Sequence, residues 1–272
     1  MAEVELKREG GIAYREAVPD QESGHPVLLV HGFPQSSYMW RDLLPEIAAA
    51  GRRAIALDLV GYGDSPPDPP ATWERHVEAL ERFRDGMGLE RLVLVNHDWG
   101  GLISIRWALD HGAPLSGLVV SNTGFFPDGE WHGMAAAMRT EGQGEALMDS
   151  VSREGLAAML GQMGSGFDDD AVAEYWKGFS TAEGRRGMLE LYRSGDFTKL
   201  EPYQGKLAEL GIPTLVLWGE NDDYAPVAGA YRFGKEIPGA RLVIVEGAGH
   251  FVWEDDPERC AREVLAFLAE AN

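Results

Sequence analysis

The stretch RLVLVNHDWGGL, residues 91–102, combines a buried strand, a sharp turn and the start of a helix. Its first part, Arg91–Val95, is a short run rich in Val and Leu, which is typical of a strand buried on both faces of a sheet. A turn centred on Asp98 follows, and apolar residues then recur at helical spacing over Leu102–Leu109. This is the layout of a nucleophile elbow, with Asp98 where serine more often stands. The usual glycine two positions earlier is Asn96, which tolerates unusual backbone angles better than most residues.

Similar apolar runs lie on both sides of this stretch. The further runs that predict buried strands are Pro26–Val30, Arg53–Leu57, Leu115–Ser121, Thr214–Trp218 and Arg241–Val245. Helical spacing occurs between most of them, in Trp40–Ala49, Thr72–Gly86, Val227–Lys235 and Pro257–Ala269. An N-terminal hairpin of Glu3–Arg8 and Gly11–Ala17 is predicted at the sheet edge. Strands that alternate with helices predict an α/β fold, with a mostly parallel central sheet and helices on both faces.

The alternation stops between Ser121 and Leu210, where no run predicts a buried strand. The helical candidates in this interval are Met134–Arg139, Glu145–Met159, Asp170–Phe179 and Arg186–Arg193. A segment of this length is too long for a loop in a compact domain, so it predicts an inserted helical cap. We therefore expect a core of residues 1–123 and 210–272, with the cap at 124–209.

The composition limits the possible partners. With 272 residues and a net charge of −20, the chain fits one α/β domain with an insertion and repels nucleic acid and anionic membranes. A small neutral organic substrate and water are the expected partners, and no cofactor is predicted. No metal-ligand spacing occurs among the histidines and the single cysteine, Cys260, which we interpret as a packing residue of the last helix. Since Met1–Gly10 does not resemble a targeting signal, a cytoplasmic location is expected. The expected oligomeric state is a monomer or a homodimer.

Ligands of an open parallel sheet bind beyond the carboxyl ends of its strands, so the residues that follow each strand are the candidates for chemistry. Four such turns are informative. They are His31-Gly32-Phe33-Pro34, Asn96-His97-Asp98-Trp99-Gly100-Gly101, Gly219-Glu220-Asn221-Asp222-Asp223 and Glu246-Gly247-Ala248-Gly249-His250. Because they lie at the same end of the sheet, their side chains are expected to form one site.

The motifs of these turns resemble the α/β-hydrolase superfamily, in the branch that holds epoxide hydrolases and haloalkane dehalogenases. The segments that carry the resemblance are Leu29–Arg41, Val93–Gly101, Leu215–Pro226 and Gly247–Glu254. The resemblance implies a hydrolase that acts at an sp³ carbon through an ester on the aspartate nucleophile.

The resemblance also implies the role of each residue. Asp98 attacks the substrate, His250 activates the water that cleaves the ester, and Asp222 orients the histidine. Asp223 follows the same strand and competes with Asp222, which the spacing from Gly219 favours. The backbone N–H groups of Phe33 and Trp99 are the expected oxyanion donors.

The remaining histidines receive structural interpretations. His97 is interpreted as a hydrogen-bonding residue beside the elbow, and His31 as one that holds its turn. His25, His76 and His111 are expected to face solvent or to lie in loops.

The two activities of this branch differ in the residues that receive the leaving group. Tyr192 resembles the second cap tyrosine of epoxide hydrolases, and Phe33-Pro34 also favours that activity. Where a Trp-Tyr pair is often found the sequence has Trp131-His132, so His132 or Tyr175 is the candidate partner of Tyr192. Trp99 beside the nucleophile fits both activities.

Epoxide hydrolysis to a vicinal diol is the leading prediction. Haloalkane dehalogenation, which releases halide and an alcohol, is the alternative. A ligand-binding protein without turnover is the alternative of another class, because some relatives of this fold act as receptors.

Overall fold

The computed structural model describes residues 2–271 and contains one eight-stranded sheet flanked by helices. The strands are β1 (Val4–Glu9), β2 (Ile12–Ala17), β3 (Val27–Val30), β4 (Ala54–Leu57), β5 (Leu92–His97), β6 (Leu115–Ser121), β7 (Thr214–Gly219) and β8 (Arg241–Val245). They lie in the order β1-β2-β4-β3-β5-β6-β7-β8. The pairs β1–β2 and β2–β4 are antiparallel, and the strands from β4 onward in that order are parallel to one another. The predicted α/β fold with a mostly parallel sheet is confirmed.

Helices cover the sheet and fill the long interval between β6 and β7. They are α1 (Leu43–Ala49), α2 (Trp73–Gly86), α3 (Trp99–His111), α4 (Gly133–Arg139), α5 (Gln143–Ser150), α6 (Arg153–Met163), α7 (Asp169–Phe179), α8 (Ala182–Ser194), α9 (Lys206–Glu209), α10 (Ala228–Glu236), α11 (Val252–Asp255) and α12 (Pro257–Glu270), with short 3₁₀ segments at Ser37–Trp40 and Phe197–Tyr203. Among residues 2–271, no helix is long and apolar enough to cross a membrane.

The interval between β6 and β7 contains helices α4 to α9 and no strand in the described chain. The expectation of one helix over Glu145–Met159 was wrong, since α5 and α6 are separate. The physical reason is Ser152, whose side chain accepts a hydrogen bond from the backbone N–H of Gly155 and so starts a new helix. The division of the chain at residues 124 and 209 stays a prediction.

Two expectations about burial were wrong. Arg241–Val245 forms β8, but this strand is the edge of the sheet and is partly exposed, with Leu242 at 36% exposure. His76 does not face solvent, because it lies on the inner face of α2 at 2% exposure. Burial there lowers the pKa of His76 to about 3, so the ring is neutral.

Candidate active site

Asp98 occupies the turn between β5 and α3 in an uncommon backbone conformation, with φ +50° and ψ −125°. Such conformations cost about 1–3 kcal/mol and persist only where the surroundings impose them. The glycines Gly100 and Gly101, shortly after Asp98, let the turn pack closely against neighbouring segments. A β-carbon on Gly100 would lie 2.2 Å from the carbonyl oxygen of Val30, and one on Gly101 would lie 2.3 Å from Thr123 Oγ1. The turn therefore holds the Asp98 side chain at the carboxyl end of the parallel strands.

The two oxygens of the Asp98 carboxylate have different surroundings. The backbone N–H of Phe33 donates to Oδ1 at 2.7 Å, and the backbone N–H of Trp99 also hydrogen-bonds the carboxylate. Gly32 makes room for this contact, since a β-carbon there would lie 2.2 Å from Oδ1. Oδ2 faces His250, with 3.6 Å between Oδ2 and Nε2. One oxygen is thus held by backbone donors, and the other faces the histidine.

His250 and Asp222 form a direct hydrogen bond, 2.9 Å between Nδ1 and Asp222 Oδ2. The same oxygen accepts a bond from the Asn122 side chain at 2.8 Å, and Oδ1 accepts bonds from the backbone N–H groups of Tyr224 and Ala225, each at 2.8 Å. Four donors therefore fix this buried carboxylate.

The neighbouring carboxylate has a different environment. Asp223 is exposed at the surface, one residue away from the buried Asp222. The structure therefore brings Asp222, and not Asp223, to His250.

The two carboxylates control the charge of His250. Burial acts to lower the pKa of this ring, but Asp222 and then Asp98 outweigh it and raise the pKa to about 10. Burial likewise acts to raise the pKa of Asp98, and the hydrogen bond and charge of His250 reverse this, so the pKa of that carboxyl falls below its usual value. With Asp98 ionised, the site is therefore an ion pair of nucleophile and imidazolium.

A cavity of about 280 Å³ opens in front of Asp98. It lies between the core and the inserted helices, and its walls are mostly apolar and aromatic. Among the residues that line it are Trp99, Trp131, His132, Tyr192 and Tyr224. A neutral organic molecule of a few carbon atoms fits a pocket of this character.

Three aromatic residues form what we call the leaving-group wall: Trp99, Trp131 and Tyr192. The two indoles are stacked with 5.5 Å between ring centroids and 23° between planes. The Tyr192 ring lies 5.2 Å from Trp99 and 5.9 Å from Trp131, and the Trp99 side chain hydrogen-bonds the Tyr192 hydroxyl. Tyr192 is 2% exposed, and burial raises the pKa of its hydroxyl well above the ordinary value. The hydroxyl is therefore a neutral donor.

His132 also lines the cavity. Its Nδ1 accepts a hydrogen bond from the backbone N–H of Ala135, which makes His132 the N-cap of α4. The ring packs edge-on against Tyr224 at 4.9 Å, and Tyr224 in turn lies 5.3 Å from the His250 ring. His132 thus lines the same cavity as Tyr192, near His250, and its role as the partner of Tyr192 across the cap stays a prediction.

Tyr175 does not line this cavity. Its hydroxyl donates to the buried carboxylate of Glu254, which also accepts bonds from Gln35 at 3.2 Å and Arg41 at 2.8 Å. We call these four residues the Glu254 cluster. The expectation that Tyr175 binds the leaving group conflicts with this position, because helix α7 turns the hydroxyl toward Glu254.

Sequence reasoning missed two residues of the site. Asn122, at φ +43°, follows β6 and holds Asp222. Tyr224 follows the acid in its turn and packs on His250. A signal was available for Asn122, since it directly follows a predicted strand at the same end of the sheet as the other four turns.

The interpretations of His31 and His97 agree with their positions. His31 Nε2 accepts from the backbone N–H of Leu59 at 2.9 Å, and His97 is buried beside Ser121, with its ring 4.9 Å from that of His250. Within residues 2–271, no group of three or more His, Cys, Asp and Glu side chains is arranged to hold a metal ion.

Comparison with known proteins adds independent information. Residues 25–257 match the family model of the alpha/beta hydrolase fold. A haloalkane dehalogenase of Sphingobium indicum is 32% identical to this chain, over 93% of this chain and 92% of that protein.

Solved structures agree with this match. A haloalkane dehalogenase from Bradyrhizobium elkani superposes with a TM-score of 0.83 at 25% identity, covering 100% of this chain and 99% of the other. An epoxide hydrolase superposes with a TM-score of 0.78 at 21% identity, with full coverage of both chains, which shows the fold alone.

Proposed function

We propose that this chain, which belongs to the alpha/beta hydrolase fold family in its branch of epoxide hydrolases and haloalkane dehalogenases, hydrolyses carbon–halogen bonds of small neutral haloalkanes. The comparisons support a hydrolase that acts at an sp³ carbon. The choice of halide as the leaving group is our proposal. The observation that carries the chemistry is the asymmetric Asp98 carboxylate, with Oδ1 on backbone donors and Oδ2 facing His250.

In the first step, Asp98 Oδ2 attacks the carbon that bears the halogen. A carbon–oxygen bond forms, the carbon–halogen bond breaks, and the halide leaves with the bonding electron pair. A carboxylate is competent for this displacement because its pKa is low and the product is a stable alkyl ester. The hydrogen bond from Phe33 to Oδ1 leaves the lone pairs of Oδ2 available.

In the second step, water attacks the carbonyl carbon of the ester, and His250 Nε2 takes a proton from it. Negative charge develops on Oδ1, which already accepts the N–H of Phe33, and the N–H of Trp99, which bonds the same carboxylate, is the second donor that we assign to it. The intermediate collapses, the proton on His250 passes to the departing alkoxide, and the new Asp98 acid passes its proton to the neutral His250, which restores the ion pair of the free enzyme. The net reaction converts haloalkane and water into alcohol, halide and one proton.

Ester formation also prepares His250 for this step. The imidazolium of the free enzyme cannot act as a base, and both Asp98 and Asp222 hold its pKa high. Once Asp98 is a neutral ester, one of the two charges is gone, so the pKa of His250 falls and the imidazolium releases its proton to solvent, which is the one proton of the net reaction. The base is thereby released only after the nucleophile has reacted.

Two observations favour a halide leaving group over epoxide opening, which is the leading prediction from the sequence. The relative at 32% identity over 93% of the chain is a haloalkane dehalogenase. In addition, Trp131 stacks on Trp99 and both line the cavity, which gives a second indole beside the one adjacent to the nucleophile. An indole N–H is a donor only, so the Trp99 N–H reaches a halide only by leaving the Tyr192 hydroxyl, and Trp131 adds a second such donor to this wall.

Epoxide hydrolysis is the second candidate, and Tyr192 is the observation that favours it. A buried neutral hydroxyl in the leaving-group wall is a suitable donor to the oxygen of an opening epoxide ring. Phe33, whose ring packs edge-on against Tyr192 at 5.3 Å, belongs to the same part of the site.

The decisive experiment follows bromide release from a 1-bromoalkane and diol formation from styrene oxide by the wild-type protein. We expect bromide release to be the faster reaction. In the His250→Gln variant the ester should accumulate, so the intact protein gains the mass of the alkyl group after exposure to the bromoalkane. The double variant Asp98→Asn, His250→Gln is the matched control and should gain no mass.

Each contrary outcome has a distinct meaning. Faster diol formation would transfer the assignment to epoxide hydrolysis. A folded His250→Gln variant that turns over without an adduct would contradict the roles of both residues. Absence of turnover on both substrates, with tight binding, would favour the ligand-binding alternative.

A further inference from the structure

The leaving-group wall is assembled from three separate segments of the chain. Trp99 begins α3, Trp131 precedes α4, and Tyr192 belongs to α8. Aromatic contacts alone do not fix such a wall, since each ring can slide against the next at little energy. A further group that ties these segments together would set the geometry of the pocket.

Arg139, in the last turn of α4, makes contacts of this kind. Its guanidinium carbon lies 5.0 Å from the centroid of the Trp131 ring. The same guanidinium donates hydrogen bonds to the backbone carbonyls of Tyr192 and Gly195, at the end of α8. One half-buried side chain thus joins the segment of Trp131 to the segment of Tyr192.

Gly195 extends the connection to Trp99. A β-carbon on Gly195 would lie 2.5 Å from Cη2 of Trp99 and 3.0 Å from Cζ2 of Trp131. The Gly195 backbone therefore packs against the edges of both stacked indoles. By holding the Gly195 carbonyl, Arg139 fixes the surface on which the pair of rings rests.

Arg139 places a positive charge next to the leaving-group wall. The chain has a net charge of −20, and the cavity contains Asp98 and Glu130 among its lining residues but no Lys or Arg. Arg139 is behind the wall, in contact with Trp131, and arginine keeps its charge at any physiological pH.

A cation on an indole is attracted to the electron density of the ring and withdraws some of it. The N–H of such an indole becomes a stronger hydrogen-bond donor. Arg139 can therefore assist an anion in the pocket without touching it.

We propose that Arg139 is a positioning residue for the leaving-group wall, which it holds in place and whose affinity for a departing anion it raises through its charge. This inference rests on the proposed function, since it assigns the wall to an anionic leaving group. A purely structural alternative is that Arg139 only caps the end of α8 through the two carbonyls.

The test measures bromide binding without turnover, through quenching of tryptophan fluorescence and through inhibition of catalysis by added bromide. Arg139→Gln keeps hydrogen-bond donors and removes the charge, whereas Arg139→Lys keeps the charge. Loss of the positive charge behind the indole should weaken bromide binding by about three-fold to thirty-fold in Arg139→Gln. Arg139→Lys should remain closer to the wild-type value.

Arg232→Gln is the matched control. Its guanidinium lies 4.0 Å from the ring centroid of Phe126, another cavity-lining residue, away from the wall. Bromide affinity should be unchanged in this variant. Arg139→Met serves as a second neutral variant if Arg139→Gln does not fold.

The inference is overturned if the neutral variants bind bromide as tightly as the wild type, or if Lys and Gln weaken binding equally. The proposed function fails separately: a wild-type protein with Arg139-dependent bromide binding that releases no bromide from any haloalkane would retain the inference and lose the activity.

Discussion

The catalytic centre and the leaving-group wall lie side by side but are built by different means. Asp98, His250 and Asp222 follow core strands, and buried hydrogen bonds from backbone N–H groups and Asn122 fix both carboxylates. The wall consists of aromatic rings in contact with one another, and two of them, Trp131 and Tyr192, come from the inserted segment. Under the proposed function, hydrogen-bonded geometry determines which bond is made to the enzyme, and aromatic packing determines which group departs.

The largest expected effect concerns the hydrogen-bonded half of this comparison. Asp222→Asn cannot orient His250 through an anionic acceptor, so we expect turnover of the bromoalkane to fall by about 10⁴, as for the corresponding change in serine proteases. Asp223→Asn is the matched control, one residue away and exposed, and should stay near the wild-type rate. Steady-state bromide release measures both, and the opposite ranking of the two variants would show that the acid is Asp223.

A smaller effect is expected in the aromatic half. Tyr192→Phe removes a hydroxyl and keeps the ring that packs on Trp99 and Phe33. If halide is the leaving group, single-turnover ester formation from a bromoalkane should fall by less than about ten-fold, whereas loss of an oxyanion donor to an opening epoxide would lower that rate by ~10²–10³.

Tyr203→Phe is the control for this change, because it removes a hydroxyl that bonds Asp110 near the surface. A fall of several hundred-fold with the bromoalkane in Tyr192→Phe alone would give the hydroxyl a role that the halide proposal does not contain.

A different kind of effect, on stability and not on rate, comes from the ion pair of the centre. The folded state raises the pKa of His250 from 6.5 to about 10, so it binds this proton more tightly than the unfolded chain does. The resulting stabilisation is complete below pH 6.5 and is lost as the pH rises through about 10. The difference in free energy of unfolding between wild type and His250→Gln should therefore shrink across this window.

Urea unfolding at several pH values measures this difference. A gap between wild type and His250→Gln that grows with pH would contradict the assigned charge of the pair.

The sequence allowed the proximity of the candidate catalytic residues to be predicted because one physical rule applies to them. Parallel strands end at the same edge of a sheet, so Phe33, Asp98, Asp222 and His250 had to lie near one another. Asn122 obeys the same rule after β6. It was passed over because an Asn-Thr turn has no recognisable motif of its own.

The inserted segment follows no such rule. Tyr175 and Tyr192 both lie on amphipathic helices, and only the rotation of each helix decides that one hydroxyl meets Glu254 and the other the cavity. That rotation depends on packing against distant residues, which periodicity does not specify. The position of His132 beside Tyr224, and the contacts of Arg139, depend in the same way on how α4 packs.

The Glu254 cluster has a consequence for the redesign of substrate range. It ties α7 to Arg41 and Gln35, close to the turn of Phe33, and to the short helix that follows His250. Mutagenesis of α7 would therefore disturb the catalytic centre together with the pocket. The segments around Trp131 and the end of α8 shape the pocket from the other side without sharing this buried network. Libraries for new substrates are best confined to those segments but away from Trp131, Tyr192 and Gly195, so that the pocket changes while the catalytic centre and the leaving-group wall stay in place.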